Sequence, residues 1–105
     1  NIYPKEIEDS VYAMQGVKEC AVIPVGDTKW GQVPALFVAF DDIDALGADL
    51  KMIVRDYISS KLAKYKVPKY ITIMDALPRN GTGKIMRKSL ASHLDMTASN
   101  GGSHE

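Results

Sequence analysis

The chain has 105 residues, of which 46% are hydrophobic and 25% are charged, and its formal net charge is zero. This composition is typical of one globular domain with a modest core and excludes a wholly disordered chain. The balanced charge gives no reason to expect nucleic acid or an anionic membrane as a partner, and no apolar run has membrane-spanning length.

The first part of the chain predicts one helix and two strands. Pro4 suits the first position of a helix, apolar residues follow at helical spacing, and Gly16 supplies a C-cap. The apolar stripe consists of Ile7, Val11 and Met14. The apolar blocks at 20–25 and 35–40 then predict two strands, which lie close enough in sequence to pair as an antiparallel unit.

The second part predicts a long helix, a third strand and a final helix. The acidic linker at 41–44 precedes the clearest helical pattern, which ends before Pro68 because proline disfavours helical geometry in the preceding residue. Residues 70–74 predict a strand, and apolar residues four apart predict the final helix; they are Met86, Leu90 and Leu94. This order predicts a small two-layer α+β domain, in which an antiparallel sheet of about three main strands packs with three helices.

The segment PRNGTGKIMR at 78–87 carries the strongest functional signal. Asn80-Gly81 is a turn signal, and Lys84 is expected at the start of a helix, one turn before Arg87 on the same face. A phosphate-binding P-loop needs glycine five residues before Gly83 and a hydroxyl residue after the lysine, but the chain has proline and isoleucine there. The P-loop is therefore excluded. A mobile Gly-rich turn remains, which either delivers Lys84 to an anionic ligand or carries it as a solvated helix cap.

Other features have two interpretations each. Trp30 lies in a turn and either covers an edge of the core or packs against an elongated ligand or another domain. The basic run between positions 61 and 69 is either a solvated face or, with Tyr65 and Pro68 interleaved, a surface for a phosphorylated ligand.

Cys20 has no disulfide partner, which favours a cytoplasmic location. No Cys/His cluster has metal-ligand spacing, so no metal site is predicted.

Four motifs occur together in one order: NIYPKEIE at 1–8, DTKWGQVP at 27–34, LAKYKVPK at 62–69 and LPRNGTGKIMR at 77–87. Together they resemble the small C-terminal domain of the adenylate-forming (AMP-binding) enzymes, which include acyl-CoA synthetases, peptide-synthetase adenylation domains and luciferases. Residues 1–95 are expected to form such a lid domain, cut from a longer chain, and residues 96–105 a disordered tail. Within the superfamily the motifs look most like CoA ligases, notably o-succinylbenzoate–CoA ligases, and fatty acid–CoA ligases share much of them.

The resemblance implies that ATP activates a carboxylic acid as an acyl-adenylate and that the acyl group then passes to CoA. It implies that Lys84 is the catalytic lysine, which contacts the carboxylate and the α-phosphate. The implied nucleotide loop comprises Asn80, Gly81, Thr82 and Gly83, and the implied CoA-binding residues are Trp30, Tyr65 and Lys69. The domain would rotate against an N-terminal adenylation domain of the same chain, so that each face acts in turn. ATP, CoA and Mg²⁺ would serve the full-length enzyme, whereas this domain alone would hold none of them and be inactive.

Two alternatives remain open. A peptide-synthetase adenylation domain would pass the acyl group to a carrier protein instead of CoA. A non-enzymatic nucleotide-binding or interaction module would use the Gly-rich loop alone. Tight binding of ATP or AMP by the domain on its own would distinguish such a module from a lid.

Overall fold

The computed structural model describes residues 3–42 and 49–97 of the chain. Within them the helices are α1 (Pro4–Tyr12), α2 (Leu50–Lys61) and α3 (Arg87–Leu90), and the strands are β1 (Val17–Asp27), β2 (Gly31–Phe40) and β3 (Tyr70–Met74). These elements confirm the predicted α+β class. No helix in the described ranges has the length and apolar character needed to cross a membrane. Positions 43–44 of the predicted linker and 98–105 of the predicted tail lie outside the described residues.

The three strands form one sheet in the order β1-β2-β3. β1 and β2 are antiparallel, as predicted, and Asp27 lies opposite Gly31 beside the turn that joins them. β2 and β3 are instead parallel, with Ala35 opposite Tyr70. The prediction of an antiparallel sheet is corrected for this pair. The connection between β2 and β3 contains α2, and such a crossover returns the chain to the end of the sheet from which β2 started.

The boundary between α1 and β1 also differs from the prediction. α1 ends at Tyr12, and Ala13 rather than Gly16 is its C-cap. Gly16 has a φ of 88°, a left-handed conformation that glycine adopts without strain. Its carbonyl accepts a hydrogen bond from the N–H of Asp41 at 2.8 Å. Gly16 therefore forms the turn into the sheet, and β1 begins directly after it.

The core lies on both faces of the sheet, because alternate residues of a strand point to opposite sides. α1 and α2 cover one face, where Ile7, Val54 and Ile58 pack against the sheet. The other face is covered by residues that follow β3, and its buried cluster consists of Ala21, Ile23, Ala35, Phe37, Ala39, Leu77 and Leu90. The sequence predicts two layers, one of helices and one of strands. The residues that follow β3 add a thin third layer on the second face of the sheet and hold the Gly-rich segment against it.

Side chains of α1 and of Arg87 cover the free edge of β1. The hydroxyl of Tyr12 accepts a hydrogen bond from the N–H of Cys20 at 3.2 Å and lies 3.4 Å from the carbonyl of the same residue. Glu8 Oε2 accepts from the N–H of Val22 at 2.8 Å, and Arg87 Nη1 donates to the carbonyl of Val22 at 3.0 Å. The backbone groups of Cys20 and Val22 on this edge are therefore not available to another strand.

Candidate functional site

The Gly-rich segment forms a closed hairpin, which we call the lysine hairpin and define as residues 79–85. Arg79 and Ile85 pair as an antiparallel bridge at its base. The following helix begins only at Arg87, so the prediction that Lys84 starts a helix is wrong. Lys84 therefore does not share a helical face with Arg87, whose guanidinium instead contacts the carboxylate of Glu8 at 3.0 Å. Backbone pairing across the hairpin prevents the helix from starting earlier.

Asn80 organises the inside of the lysine hairpin. Its Oδ1 accepts hydrogen bonds from the N–H of Thr82 at 3.0 Å, the hydroxyl of Thr82 at 2.7 Å and the N–H of Lys84 at 3.0 Å. Its own carbonyl accepts from the N–H of Gly83 at 2.9 Å. Gly83 has a φ of 86°, which a residue with a side chain rarely adopts. The asparagine and the glycine together explain why this short sequence closes on itself.

Lys84 combines a held backbone with an unpaired cationic side chain. Its N–H donates to Asn80 Oδ1, and its carbonyl accepts from the N–H of Asn80 at 2.9 Å. The side chain is exposed, and its ammonium has no hydrogen bond or ion pair with any other residue in the part of the chain that the structure describes. The hairpin thus presents one unpaired cation, the Lys84 ammonium, to an anion that approaches it. The predicted nucleotide-loop residues lie beside this lysine in the same turn.

A buried carboxylate on β1 anchors the lysine hairpin. Glu19, whose side chain is only 7% exposed, accepts hydrogen bonds from the N–H of Leu77 at 2.8 Å and from Arg79 Nε at 3.0 Å. Burial by itself raises the pKa of Glu19, but the Leu77 N–H and the Arg79 guanidinium outweigh it and hold the pKa below its ordinary value. Sequence reasoning did not identify Glu19 or Arg79 as site residues. The available signal was an acidic residue directly before the apolar block of β1 and an arginine inside the loop.

The second candidate site is a groove of about 440 Å³, which we call the tryptophan groove; it is lined by Trp30, Gln32, Val33, Pro34, Tyr65, Val67 and Lys69. It brings together the three residues predicted to contact CoA. Trp30 is 67% and Tyr65 71% exposed, so neither ring is buried in the core. Of the two interpretations of Trp30, the structure therefore favours a ring that is available to a ligand or another domain.

The turn between β1 and β2 sets the position of Trp30. Asp27 Oδ1 accepts hydrogen bonds from the N–H of Lys29 at 2.7 Å and of Trp30 at 3.1 Å. Asp27 Oδ2 contacts the ammonium of Lys69 at 2.6 Å. The same carboxylate thus shapes the turn and places a lysine at the wall of the groove. Asp27 is a residue of this site that the sequence did not reveal. An aspartate whose side chain accepts hydrogen bonds from N–H groups two and three residues later is nevertheless a known turn signal.

An arginine of α2 holds the backbone of the segment that carries Lys69. Arg55 donates from Nη1 to the carbonyl of Pro68 at 2.8 Å and from Nη2 to the carbonyl of Lys69 at 3.1 Å. The N–H of Lys69 donates to the carbonyl of Pro34 on β2 at 3.0 Å. Of the predicted basic run, Lys69 is the member that lines the groove. Lys66 instead pairs with Glu6 at 2.9 Å.

We expect Asp27→Asn to destabilise the domain in a pH-dependent way. The hydrogen bond from Lys69 and the N–H groups of Lys29 and Trp30 lower the pKa of Asp27 to about 2. A carboxyl group with a depressed pKa stabilises the fold fully above its unfolded pKa of about 4, and this contribution is lost as the pH falls towards 2. Asparagine keeps the acceptor for the turn but loses the charge. The variant should therefore be less stable than the wild type at pH 7, and the difference should shrink below pH 4.

Urea unfolding at a series of pH values from 7 to 2.5 measures this difference. Asp75→Asn is the matched control, because its side chain has no hydrogen bond or ion pair with another described residue. A difference between Asp27→Asn and the wild type that stays constant over this pH range would contradict the role given to the charge of Asp27.

The two sites lie at opposite ends of β1. The lysine hairpin is anchored at Glu19, and the tryptophan groove begins at Asp27. Eight positions of extended chain at about 3.3 Å each separate these residues by about 26 Å along the strand. No residue that lines the groove belongs to the hairpin. One compact unit therefore carries two separate surfaces, each with a lysine.

Neither a reactive thiol nor a cluster of metal ligands is found among the described residues. Burial, reinforced by the nearby Glu8 carboxylate, raises the pKa of the Cys20 thiol to about 12, which makes this cysteine a poor nucleophile. Within residues 3–42 and 49–97, no three His, Cys, Asp or Glu side chains come together in a way that suits a metal ion.

Comparison with known proteins identifies the family. The family model described as "AMP-binding enzyme C-terminal domain" matches residues 6–84. The 2-succinylbenzoate–CoA ligase of Lactococcus lactis subsp. lactis is 51% identical over 90 residues, which cover 86% of this chain and 18% of that protein. A long-chain-fatty-acid–CoA ligase of Mycobacterium tuberculosis is 37% identical over 97 residues, which cover 92% of this chain and 18% of that protein.

A solved structure gives the same result for the fold. The double mutant of o-succinylbenzoate CoA synthetase from Bacillus subtilis, bound with a product analogue, has a TM-score of 0.72 and 34% identity, over 90% of this chain and 18% of that one. The chain spans less than a fifth of the length of these relatives. The family match includes Glu19, the tryptophan groove and the lysine hairpin up to Lys84. We conclude that this chain belongs to the family of AMP-binding enzyme C-terminal domains.

Proposed function

We propose that residues 1–95 are the C-terminal lid domain of an ATP-dependent carboxylic acid–CoA ligase. In the full-length enzyme, a carboxylate attacks the α-phosphorus of ATP, which gives an acyl-adenylate and releases pyrophosphate. The thiol of CoA then attacks the acyl carbon, which gives the thioester and releases AMP. The observation that carries this proposal is the presence, in a domain of this family, of an unpaired lysine on a closed hairpin and a separate open groove.

Lys84 suits the first of these steps. A carboxylate and a phosphate are both anions, so a cation between them lowers the repulsion as they approach and stabilises the charge on the phosphoryl oxygens. The backbone of Lys84 is held on both sides by Asn80, while its side chain is exposed. We assign Lys84 to the catalytic role, and Asn80, Gly81, Thr82 and Gly83 to the nucleotide loop that supports it.

The tryptophan groove suits the second step. CoA is a long thiol with an apolar arm and a phosphorylated nucleotide end, and the groove combines aromatic rings with one lysine. We assign Trp30, Tyr65 and Lys69 to CoA binding. Lys69 is already paired with Asp27 at 2.6 Å, so a CoA phosphate meets a lysine whose charge is partly neutralised. The contact of Trp30 with CoA is therefore expected to contribute more than the Lys69–phosphate attraction.

The remaining parts of the enzyme belong to the proposal as well. An N-terminal adenylation domain of the same chain supplies the pockets for the acid, for ATP and for the Mg²⁺ that accompanies its phosphates. 2-Succinylbenzoate is the first candidate acid, supported by the 51% identity to a ligase named for it, and a long-chain fatty acid is the second. A cytoplasmic location accords with the free, buried thiol of Cys20.

Acid-dependent ATP–pyrophosphate exchange by the full-length protein tests the function. The panel of acids includes o-succinylbenzoate, aromatic acids and fatty acids of several lengths. Exchange with one class, followed by thioester formation when CoA is added, is the expected result. No exchange with any acid, together with tight binding of ATP by this domain alone, would instead support a nucleotide-binding module.

Trp30→Ala is expected to impair thioester formation and to spare adenylation. Removing an exposed aromatic ring that contacts the ligand should raise the KM for CoA about tenfold, which is about 1.4 kcal/mol of binding. The rate of ATP–pyrophosphate exchange should stay within about twofold of the wild type, because the lysine hairpin lies at the other end of β1. Both half-reactions are measured on the same preparation. An unchanged KM for CoA would remove Trp30 from the CoA site.

A further inference from the structure

The peptide group that joins Gly83 to Lys84 is held at both ends. The carbonyl of Gly83 accepts a hydrogen bond from Arg79 Nη1. The N–H of Lys84, which lies in the same peptide plane, donates to Asn80 Oδ1 at 3.0 Å. The orientation of this plane sets the direction in which the Lys84 side chain leaves the backbone. Two side chains of other residues therefore fix the backbone from which the Lys84 side chain extends.

Arg79 is in turn held by Glu19. Its Nε and Nη2 both donate to Glu19 Oε1, at 3.0 and 2.5 Å, while Nη1 contacts Gly83. The other oxygen of Glu19 accepts from the N–H of Leu77, where the chain enters the segment before the hairpin. A planar guanidinium can reach a carboxylate and a carbonyl at once in a defined geometry, which the single ammonium of a lysine cannot reproduce.

We infer that Glu19 and Arg79 are positioning residues for Lys84: the β1 carboxylate orients the guanidinium, which fixes the Gly83–Lys84 peptide group and so aims the lysine in the adenylation step. This inference rests on the proposed function. It gives Glu19 a task beyond the fold, because the carboxylate connects a strand of the sheet to the hairpin that carries the reactive cation. Neither residue contacts a reacting atom.

Arg79→Lys in the full-length enzyme tests the inference. The substitution keeps the positive charge beside Glu19 but loses the fork that reaches Gly83. A lysine aimed about 1 Å away from its productive position should lower the single-turnover rate of adenylation by about 10- to 100-fold. The KM for CoA and the rate of thioester formation from a supplied acyl-adenylate should stay at wild-type values. Glu19→Gln, which keeps an acceptor for Leu77, should show the same pattern with a smaller loss.

The decisive measurement combines these changes with Lys84→Ala. If Arg79 acts only through Lys84, then Arg79→Lys should cause no further loss of adenylation in the Lys84→Ala background. A general disturbance of the fold would lower the rate in both backgrounds. The melting temperature of each variant shows whether the protein is folded at the assay temperature.

Arg87→Lys is the matched control. Arg87 also pairs a guanidinium with a glutamate and a β1 carbonyl, but its partners are Glu8 and Val22 and not the hairpin. It should leave the adenylation rate within about twofold of the wild type. Equal losses in both half-reactions for Arg79→Lys, or additive losses with Lys84→Ala, would overturn the inference while the proposed function stands. A wild-type enzyme that catalyses neither half-reaction would overturn the proposed function itself.

Discussion

Replacing Lys84 with alanine in the full-length enzyme is expected to lower the rate of acyl-adenylate formation by about 10²- to 10³-fold, as the loss of one preorganised electrostatic contact typically does. In the proposed function, the ammonium is the group that neutralises charge between the carboxylate and the α-phosphate. Thioester formation from a supplied acyl-adenylate should keep most of its rate, because the tryptophan groove does not include the lysine hairpin. Single-turnover measurements of each half-reaction give the two rates separately.

Lys88→Ala is the control for Lys84→Ala. Lys88 is an exposed lysine four residues further along, on α3, and it lies outside the lysine hairpin. Its replacement removes the same charge from the same region and should change adenylation by less than about twofold. Equal losses for the two variants would show that the region contributes general positive charge. Equal losses of both half-reactions in Lys84→Ala would contradict a role confined to adenylation.

Phe37→Ala is expected to lower the free energy of unfolding by about 3–5 kcal/mol, the usual cost of deleting a buried phenylalanine ring. Phe37 is completely buried on β2, in the cluster that also contains Leu77 and Leu90. These two leucines flank the segment that forms the lysine hairpin, so a cavity there removes the support under it. A small domain has a total stability of about 5–15 kcal/mol, so the variant should be close to unfolding.

Urea unfolding of the domain measures this loss. Phe37→Leu is the graded control, because leucine fills most of the space, and its loss should be clearly smaller than that of alanine. A loss below about 1 kcal/mol for Phe37→Ala would mean that the cluster collapses around the missing ring. In that case the second face of the sheet would be less tightly packed than the structure indicates.

The helices and strands were largely predictable because they follow local patterns. The apolar spacing of α2 and the apolar blocks of β1 and β2 each lie within a dozen residues, and the observed elements fall where these patterns indicate. The parallel pairing of β2 with β3 was not predicted, because it depends on the path that the chain takes through α2 and not on the composition of either strand.

The same distinction between local and distant contacts applies to the two sites. The motif resemblance indicated the hairpin lysine and the three groove residues, and the structure brings Trp30, Tyr65 and Lys69 to one groove. The partners Asp27 and Glu19 were missed. The Asp27–Lys69 contact spans 42 residues of sequence and the Glu19–Arg79 contact spans 60. Side-chain pairs at such separations leave no periodic signal in a single sequence.

The covered edge of β1 has a kinetic consequence. Glu8 and Tyr12 accept hydrogen bonds from N–H groups of β1, and these bonds join α1 directly to the strand that runs between the two sites. When α1 rotates, β1 therefore rotates with it through the same angle, and both sites turn together. The distance of about 26 Å between Glu19 and Asp27 along β1 stays constant. In the proposed enzyme the two sites act in successive steps, and the domain reorients between them. The rate of this reorientation then sets an upper limit on kcat.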